Sequence, residues 1–246
     1  MERKYRTTIF SSIFFLLVSC PLWAKHEEPT ELDPTIRFNY AHHGETAYTL
    51  PAKTIQLGLG PVAYGVTDFL QIGTDFISPA YGIARANVKL NLFNWEYLGA
   101  SVGFEYNYLF NSFGYPADLG FRTKKENHHV YLPQASVSVK LSDEVFLHTG
   151  GRYILAPTVK NDSQLVYSSV FKNSRVFSDL EIRFSDQKAL LVGPAYAYEL
   201  QGFGGGLSYR ISGKDLGYTI QLGASVIFPK GEKMIIDPVI KVVWRL

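Results

Sequence analysis

From residue 216 to residue 228, apolar side chains alternate with small or polar ones. Leu216, Tyr218, Ile220, Leu222, Ala224, Val226 and Phe228 hold one register, while Gly217, Thr219, Gln221, Gly223 and Ser225 hold the other. Successive side chains of a strand point to opposite faces, so this stretch is a strand with one apolar and one small or polar face. The same period of two recurs along most of the chain. It predicts strands at residues 36–40, 54–60, 70–76, 84–92, 98–110, 134–141, 145–155, 175–184, 188–200, 203–212, 216–228 and 235–246. Most are long enough to cross a bilayer at a tilt. The strand at 36–40 is short, and it makes the count of twelve even.

The connections carry a second pattern. Residues 65–68 (Gly-Val-Thr-Asp), 141–144 (Leu-Ser-Asp-Glu), 184–187 (Phe-Ser-Asp-Gln) and 212–215 (Ser-Gly-Lys-Asp) are short and turn-forming, and Asn94, Trp95 and Glu96 make a fifth short link. Longer connections at 42–53, 111–130, 156–174 and 229–234 fall between them, with short gaps near Ser78 and Gln201 as exceptions. Outer-membrane barrels have short periplasmic turns and longer outer loops. Placing the Asp turns in the periplasm puts both chain ends there too. Aromatic residues then fall into two girdles. Tyr106, Tyr108, Phe110, Tyr131, Tyr153, Tyr196, Tyr198 and Phe228 lie at the outer ends, and Phe93, Trp95, Tyr97, Phe184 and Trp244 at the inner ends. A soluble barrel or sandwich would turn the same apolar face inward. The girdles argue against that, as does a polar face richer in Gly, Ser, Thr and Asn than in Lys and Glu.

Composition agrees: 17 Phe, 16 Tyr and 21 Gly favour strands with crowded positions. Residues 1–24 read as an export signal. Arg3, Lys4 and Arg6 precede an apolar run at 7–18 that is short for a spanning helix. Cleavage after Ala24 is the favoured reading; the alternative is a lipoprotein signal with Cys20 acylated. Cleavage at Ala24 also removes the single cysteine, and with it any disulfide or thiol chemistry. It takes the 24 basic and 22 acidic residues to 21 of each, so no basic field remains for nucleic acid. Residues 25–35 read as a polar periplasmic lead-in.

The export signal, the run Tyr64, Gly65, Val66, Thr67, Asp68, Phe69, Leu70, Gln71, Ile72, Gly73 and the final amphipathic strand resemble small Gram-negative outer-membrane β-barrel proteins. Porin-like proteins and uptake channels for hydrophobic compounds are among these. The resemblance covers about residues 36–246. It implies an all-β, antiparallel up-and-down transmembrane barrel of about twelve strands, with outer-membrane lipid and the barrel-assembly machinery as partners. Such proteins usually end on an aromatic residue; this chain departs from that by ending Trp244, Arg245, Leu246.

On this topology the polar face lines the lumen. Arg37, Arg85, Lys89, Lys140, Arg152, Arg175, Arg183, Arg210, Lys241 and Arg245 are expected there, against Asp75, Glu105, Asp179, Glu181, Glu199 and Asp237. A mild cationic excess suits a narrow pore for small solutes, whereas mutual pairing would fill the barrel with salt bridges. His42, His43, His128 and His129 are expected in outer loops, without the acidic neighbours that would complete a metal site. Ser138 and His148 face the lumen across one turn, but no third residue completes a catalytic set. No cofactor or enzymatic activity is implied. The leading function is passive passage of small solutes, and the alternative is a non-conducting structural or adhesive barrel acting through its outer loops.

Overall fold

The computed structural model describes residues 40–246 apart from 82, 110–127, 156–173, 199, 214–216 and 232. The signal with Cys20, the lead-in, Arg37 with the rest of 36–39, Phe110, Glu199 and most of the two longest loops lie outside the described residues. Twelve strands follow one another: β1 (Ile55–Gly58), β2 (Pro61–Thr67), β3 (Leu70–Asp75), β4 (Ile83–Asn94), β5 (Leu98–Leu109), β6 (His128–Lys140), β7 (Val145–Arg152), β8 (Arg175–Ser185), β9 (Lys188–Ala197), β10 (Gly202–Ser212), β11 (Tyr218–Phe228) and β12 (Ile235–Arg245). Each pairs antiparallel with its neighbours in sequence, and β1 closes on β12 through Gln56–Arg245, Leu57–Trp244 and Gly58–Val243. The expected all-β up-and-down barrel of twelve strands is the fold observed.

Its polarity is inverted relative to a soluble protein. Leu222 is 52 % exposed, while its neighbour Gln221 is 2 % exposed. Leu57, Ile72, Leu92, Val102, Leu207 and Ile240 face outward, and Gln56, Gln71, Asn91, Ser101, Asn107 and Ser208 are buried inside. An apolar belt of this kind is stable against hydrocarbon, and ring closure satisfies the strand backbone where no water can. No described helix is long and apolar enough to cross a membrane.

The end carrying the short turns is called inner below. Hydroxyls brace several of these turns: Thr67 Oγ1 accepts from the Leu70 N–H at 3.1 Å, and Ser142 Oγ from the Val145 N–H at 3.1 Å. The ladder irregularities on the β2–β3, β4–β5 and β8–β9 pairs, at Gly65/Thr67, Asn91/Phe93 and Arg183/Ser185, also fall at this end. The girdles are real ring clusters. Phe93 stacks on Trp95 at 4.6 Å at the inner end, and Tyr196 meets Tyr198 and Phe203 at the outer end. His129 is not in a loop as expected but on β6, hydrogen-bonded to the Tyr106 hydroxyl at 2.8 Å within the outer girdle.

One strand of the expected twelve is different. Tyr40 belongs to no barrel strand and makes only an isolated bridge with Glu45. Its place in the count is taken by β2, which sequence reading merged into a turn because Pro61 opens it and Gly65 interrupts it. The hairpin from β1 to β2 turns at Leu59 and Gly60, where Gly60 holds φ at +112° beside the Asp75 carboxylate. The wall here is low: β1 has 4 residues, β2 has 7 and β3 has 6, against 11 in β12 and 12 in β4.

The outward belt makes a measurable demand. Leu222→Arg should lower unfolding stability in lipid vesicles by about 2–4 kcal/mol, read by urea titration, because it sets a charge against hydrocarbon.

Candidate functional site

Residues 42–53 were expected to form an outer loop. Most of the segment instead runs inside the barrel. Ala41, His42, His43, Thr46, Ala47, Tyr48 and Leu50 are all nearly inaccessible. Apart from the bridge to Tyr40 they have no strand beside them, so the barrel wall satisfies their backbone groups. The Lys89 ammonium donates to the Tyr48 carbonyl at 2.7 Å, Asn91 Nδ2 to the Ala47 carbonyl at 2.7 Å, Ser136 Oγ to the Thr46 carbonyl at 3.0 Å and Lys241 Nζ to the Ala41 carbonyl at 2.6 Å. In the other direction the His43 N–H donates to Asp179 at 2.7 Å, the Ala47 N–H to Ser138 Oγ at 2.9 Å and the Leu50 N–H to Gln71 Oε1 at 3.0 Å. These partners lie on strands around the barrel, and together they hold the segment as a plug.

The two histidines anchor its outer part. His43 Nδ1 lies 2.6 Å from Asp179 Oδ1. His42 bridges Ser208 and Ser225 through its two ring nitrogens at 2.8 and 2.9 Å. A neutral imidazole donates through one nitrogen and accepts through the other, which suits two hydroxyls. Burial, reinforced by the neighbouring charge of His43 and by Lys241 and Arg175, outweighs the pull of Asp179 and pushes His42 down to about 3. The ring fits only because Gly206 faces it: a Cβ there would sit 1.8 Å from Nε2.

Beside the plug the predicted lumen charges gather into a knot. Glu181 receives Arg183 Nε at 2.7 Å, His148 Nε2 at 3.1 Å and the Arg210 guanidinium. Arg183 lies 4.1 Å over the Phe146 ring. His148 Nδ1 reaches Ser138 Oγ at 2.8 Å, so Glu181 is the third residue that the sequence reading lacked. The geometry resembles a Ser–His–acid line, yet all three side chains are at most 1 % exposed and the Ser138 hydroxyl also takes the Ala47 N–H. In this arrangement the line braces the plug and offers a substrate no approach. Lys140 pairs with Asp143, and Lys89 also meets Glu45 at 3.1 Å. Arg245 faces inward beside β1, opposite Gln56.

Above the plug the interior opens into a cavity of about 760 Å³. One wall is polar. Arg85 bridges Asp75 at 3.2 Å and Glu105 at 3.3 Å, and Gln134, Arg152 and Arg175 continue it. The facing wall is apolar, with Ile227, Ile235, Val239 and Val243. The charges expected in the lumen thus point into the barrel where they are described, but many are engaged with each other or with the plug rather than lining an open path.

The chain matches no protein-family model and no curated protein. Among solved structures it is similar to the KdgM porin in complex with disordered oligogalacturonate, with a TM-score of 0.47 and 6 % identity over 78 % of this chain and 95 % of that one.

The packing of His42 on Gly206 gives a direct test of the plug. In a Cys20→Ser background, Ala47→Cys should resist a water-soluble thiol reagent in the folded barrel. Adding Gly206→Leu should displace His42 and make the same thiol react, with the labelled fraction read by mass spectrometry.

Proposed function

We propose that this chain is a gated outer-membrane channel: a porin-like barrel that passes small polar solutes when the segment at 40–53 leaves the lumen. The supporting observation is the way that segment is held. Its bonds to the wall are hydrogen bonds from separate side chains, with Asp179 taking two from His43 and Lys89 also paired with Glu45, and water can replace the neutral ones. A net intramolecular hydrogen bond contributes about 0.5–1.5 kcal/mol, and ordering one residue costs about 1–2 kcal/mol. The two are of the same order, so docking is marginal, which a reversible gate requires. Once the segment is out, side chains that bound it, such as Gln71, Lys89, Asn91, Ser136 and Ser208, would line a hydrated path. Export by the signal at 1–24 and residence in a Gram-negative outer membrane belong to the same reading, as do insertion by the assembly machinery and the choice between cleavage and acylation at Cys20. Lipid outside and water inside account for the inverted polarity.

Planar-bilayer recording tests this. The intact chain should be closed most of the time, and Gly206→Leu or removal of residues 40–50 should give steady conductance. A silent barrel in all three forms would assign the chain to the structural or adhesive role of its outer loops instead.

The gate should also respond to acid. His42 is held well below the 6.5 of a free imidazole, so its docking contribution is complete above about pH 6.5 and is lost as the pH falls from there toward 3. Opening events of the intact chain should therefore become more frequent between pH 7.5 and pH 5, and His42→Gln should flatten that dependence.

A further inference from the structure

The grip on the middle of the plug is directed at main chain. Ser136 and Ser138 lie two residues apart on β6, so both hydroxyls face the lumen. They hold the peptide unit between Thr46 and Ala47 at its two ends. Ser136 Oγ donates to the Thr46 carbonyl at 3.0 Å, and Ser138 Oγ accepts the Ala47 N–H at 2.9 Å. Asn91 and Lys89 are spaced in the same way on β4, and they donate to the next two carbonyls, those of Ala47 and Tyr48. All four contacts engage groups that any peptide carries.

The wall itself sets the polarity of this seat. Ser136 Oγ lies 3.0 Å from Ser101 Oγ. With the Ser136 proton committed to a carbonyl, Ser101 is the donor in that pair. Ser138 Oγ lies 2.8 Å from His148 Nδ1, and His148 Nε2 lies 3.1 Å from Glu181. A carboxylate only accepts, so Nε2 carries the imidazole proton and Nδ1 takes the Ser138 proton, which leaves a Ser138 lone pair for the amide. Glu181 is fixed in turn by Arg183 and Arg210. None of these orienting groups belongs to the plug, so the seat keeps its donor and its acceptor after the plug has gone. A site ordered in advance binds at lower cost. Its shape is selective too. A Cβ at Gly99 would sit 3.4 Å from Ala47 Cβ and 3.2 Å from the Tyr48 ring, so a small residue followed by a ring fills this place closely.

We propose that the seat formed by Ser136, Ser138, Asn91 and Lys89 is the solute-recognition site of the channel, and that its solute is a short extended peptide. A small residue followed by an aromatic one takes the places that Ala47 and Tyr48 hold in the plug. The plug is then a tethered stand-in for the solute, held at the seat by an effective concentration in the millimolar range. Because Ser136 offers a proton and Ser138 a lone pair, the peptide enters the seat in one chain direction. This rests on the gated channel, since the seat is free only when residues 40–53 have left it, and it adds the chemical class of what passes.

The test uses the full chain with Gly206→Leu, and as a second form the chain lacking residues 40–50. Heat-modifiable migration on a gel verifies that each is a folded barrel. The probe is a synthetic peptide of residues 44–50 with fluorescein at its N-terminus, read by anisotropy in detergent micelles. Anisotropy should rise saturably with both forms, and the unaltered chain, whose seat is filled, should bind at least tenfold more weakly. Methylating the Ala47 nitrogen of the peptide should weaken binding about tenfold, and so should Ser138→Ala in the barrel. The two changes together should cost no more than either alone, because they remove the same bond. Maltohexaose, a chain of similar length without amides, should not compete. The proposal is overturned by no rise with either form, by equal binding to the unaltered chain, by fully additive losses, or by competition from maltohexaose, which would make the lumen a general polar path. Planar-bilayer recording separates this from the gate. Steady conductance without peptide binding keeps the gated channel and overturns the peptide site, whereas peptide binding by a silent barrel supports the site and overturns the gate.

Discussion

A ring of twelve antiparallel strands is wider than its own side chains can fill. Eight strands close on a packed interior and sixteen leave a water-filled channel, and twelve lies between. With hydrocarbon outside, the small and polar face of every strand must point into that space. Something polar then has to occupy it, because buried polar groups without partners are costly. In this chain the occupant is its own segment before β1. The lumen side chains that would otherwise face one another across a gap instead bind that segment's carbonyls and amides.

This division organises the interior by height. Toward the inner end, Glu181 gathers Arg183, Arg210 and His148, and Tyr48 and Leu50 complete a packed layer. Charges confined there are stabilised by mutual pairing rather than by solvent. Toward the outer end the segment turns at Gly44 and Glu45, and the space above it stays open. Plug and cavity thus follow from one event, the folding of residues 40–53 into the lower part of the lumen. The short β1–β2 hairpin has a separate consequence: beyond Val243, toward the outer end, no described strand pairs with β12 on the β1 side.

Much of this fold is legible from residue patterns. Alternation from Tyr218 to Phe228 predicts β11 nearly to the residue. The girdle residues Phe93 and Trp95, and Tyr196 and Tyr198, meet as the two-girdle pattern requires, and the Thr67 and Ser142 hydroxyls brace the turns expected around them. Elements with weak alternation are where the reading slipped. Pro61 and Gly65 hide β2, although Val62, Tyr64 and Val66 alternate with Ala63 and Gly65. The run from Ala41 to Leu50 has no period of two, and aperiodic, mixed-polarity runs ordinarily form surface loops. Glu181 could not be joined to Ser138 and His148 by spacing, since only the pairing of β6, β7 and β8 sets them in line.

The sequence alone determined the period of most strands, which face is apolar and the chemistry of the inward side chains. These are properties of single strands and nearest turns, and alternation records them directly. Only tertiary structure decided what fills the lumen, which charges meet and where the wall is low. Those depend on the closure diameter and on contacts such as His42 with Ser208 or Lys241 with Ala41, made across more than 160 residues of chain. No local pattern encodes a contact whose two halves become neighbours only after the ring has closed.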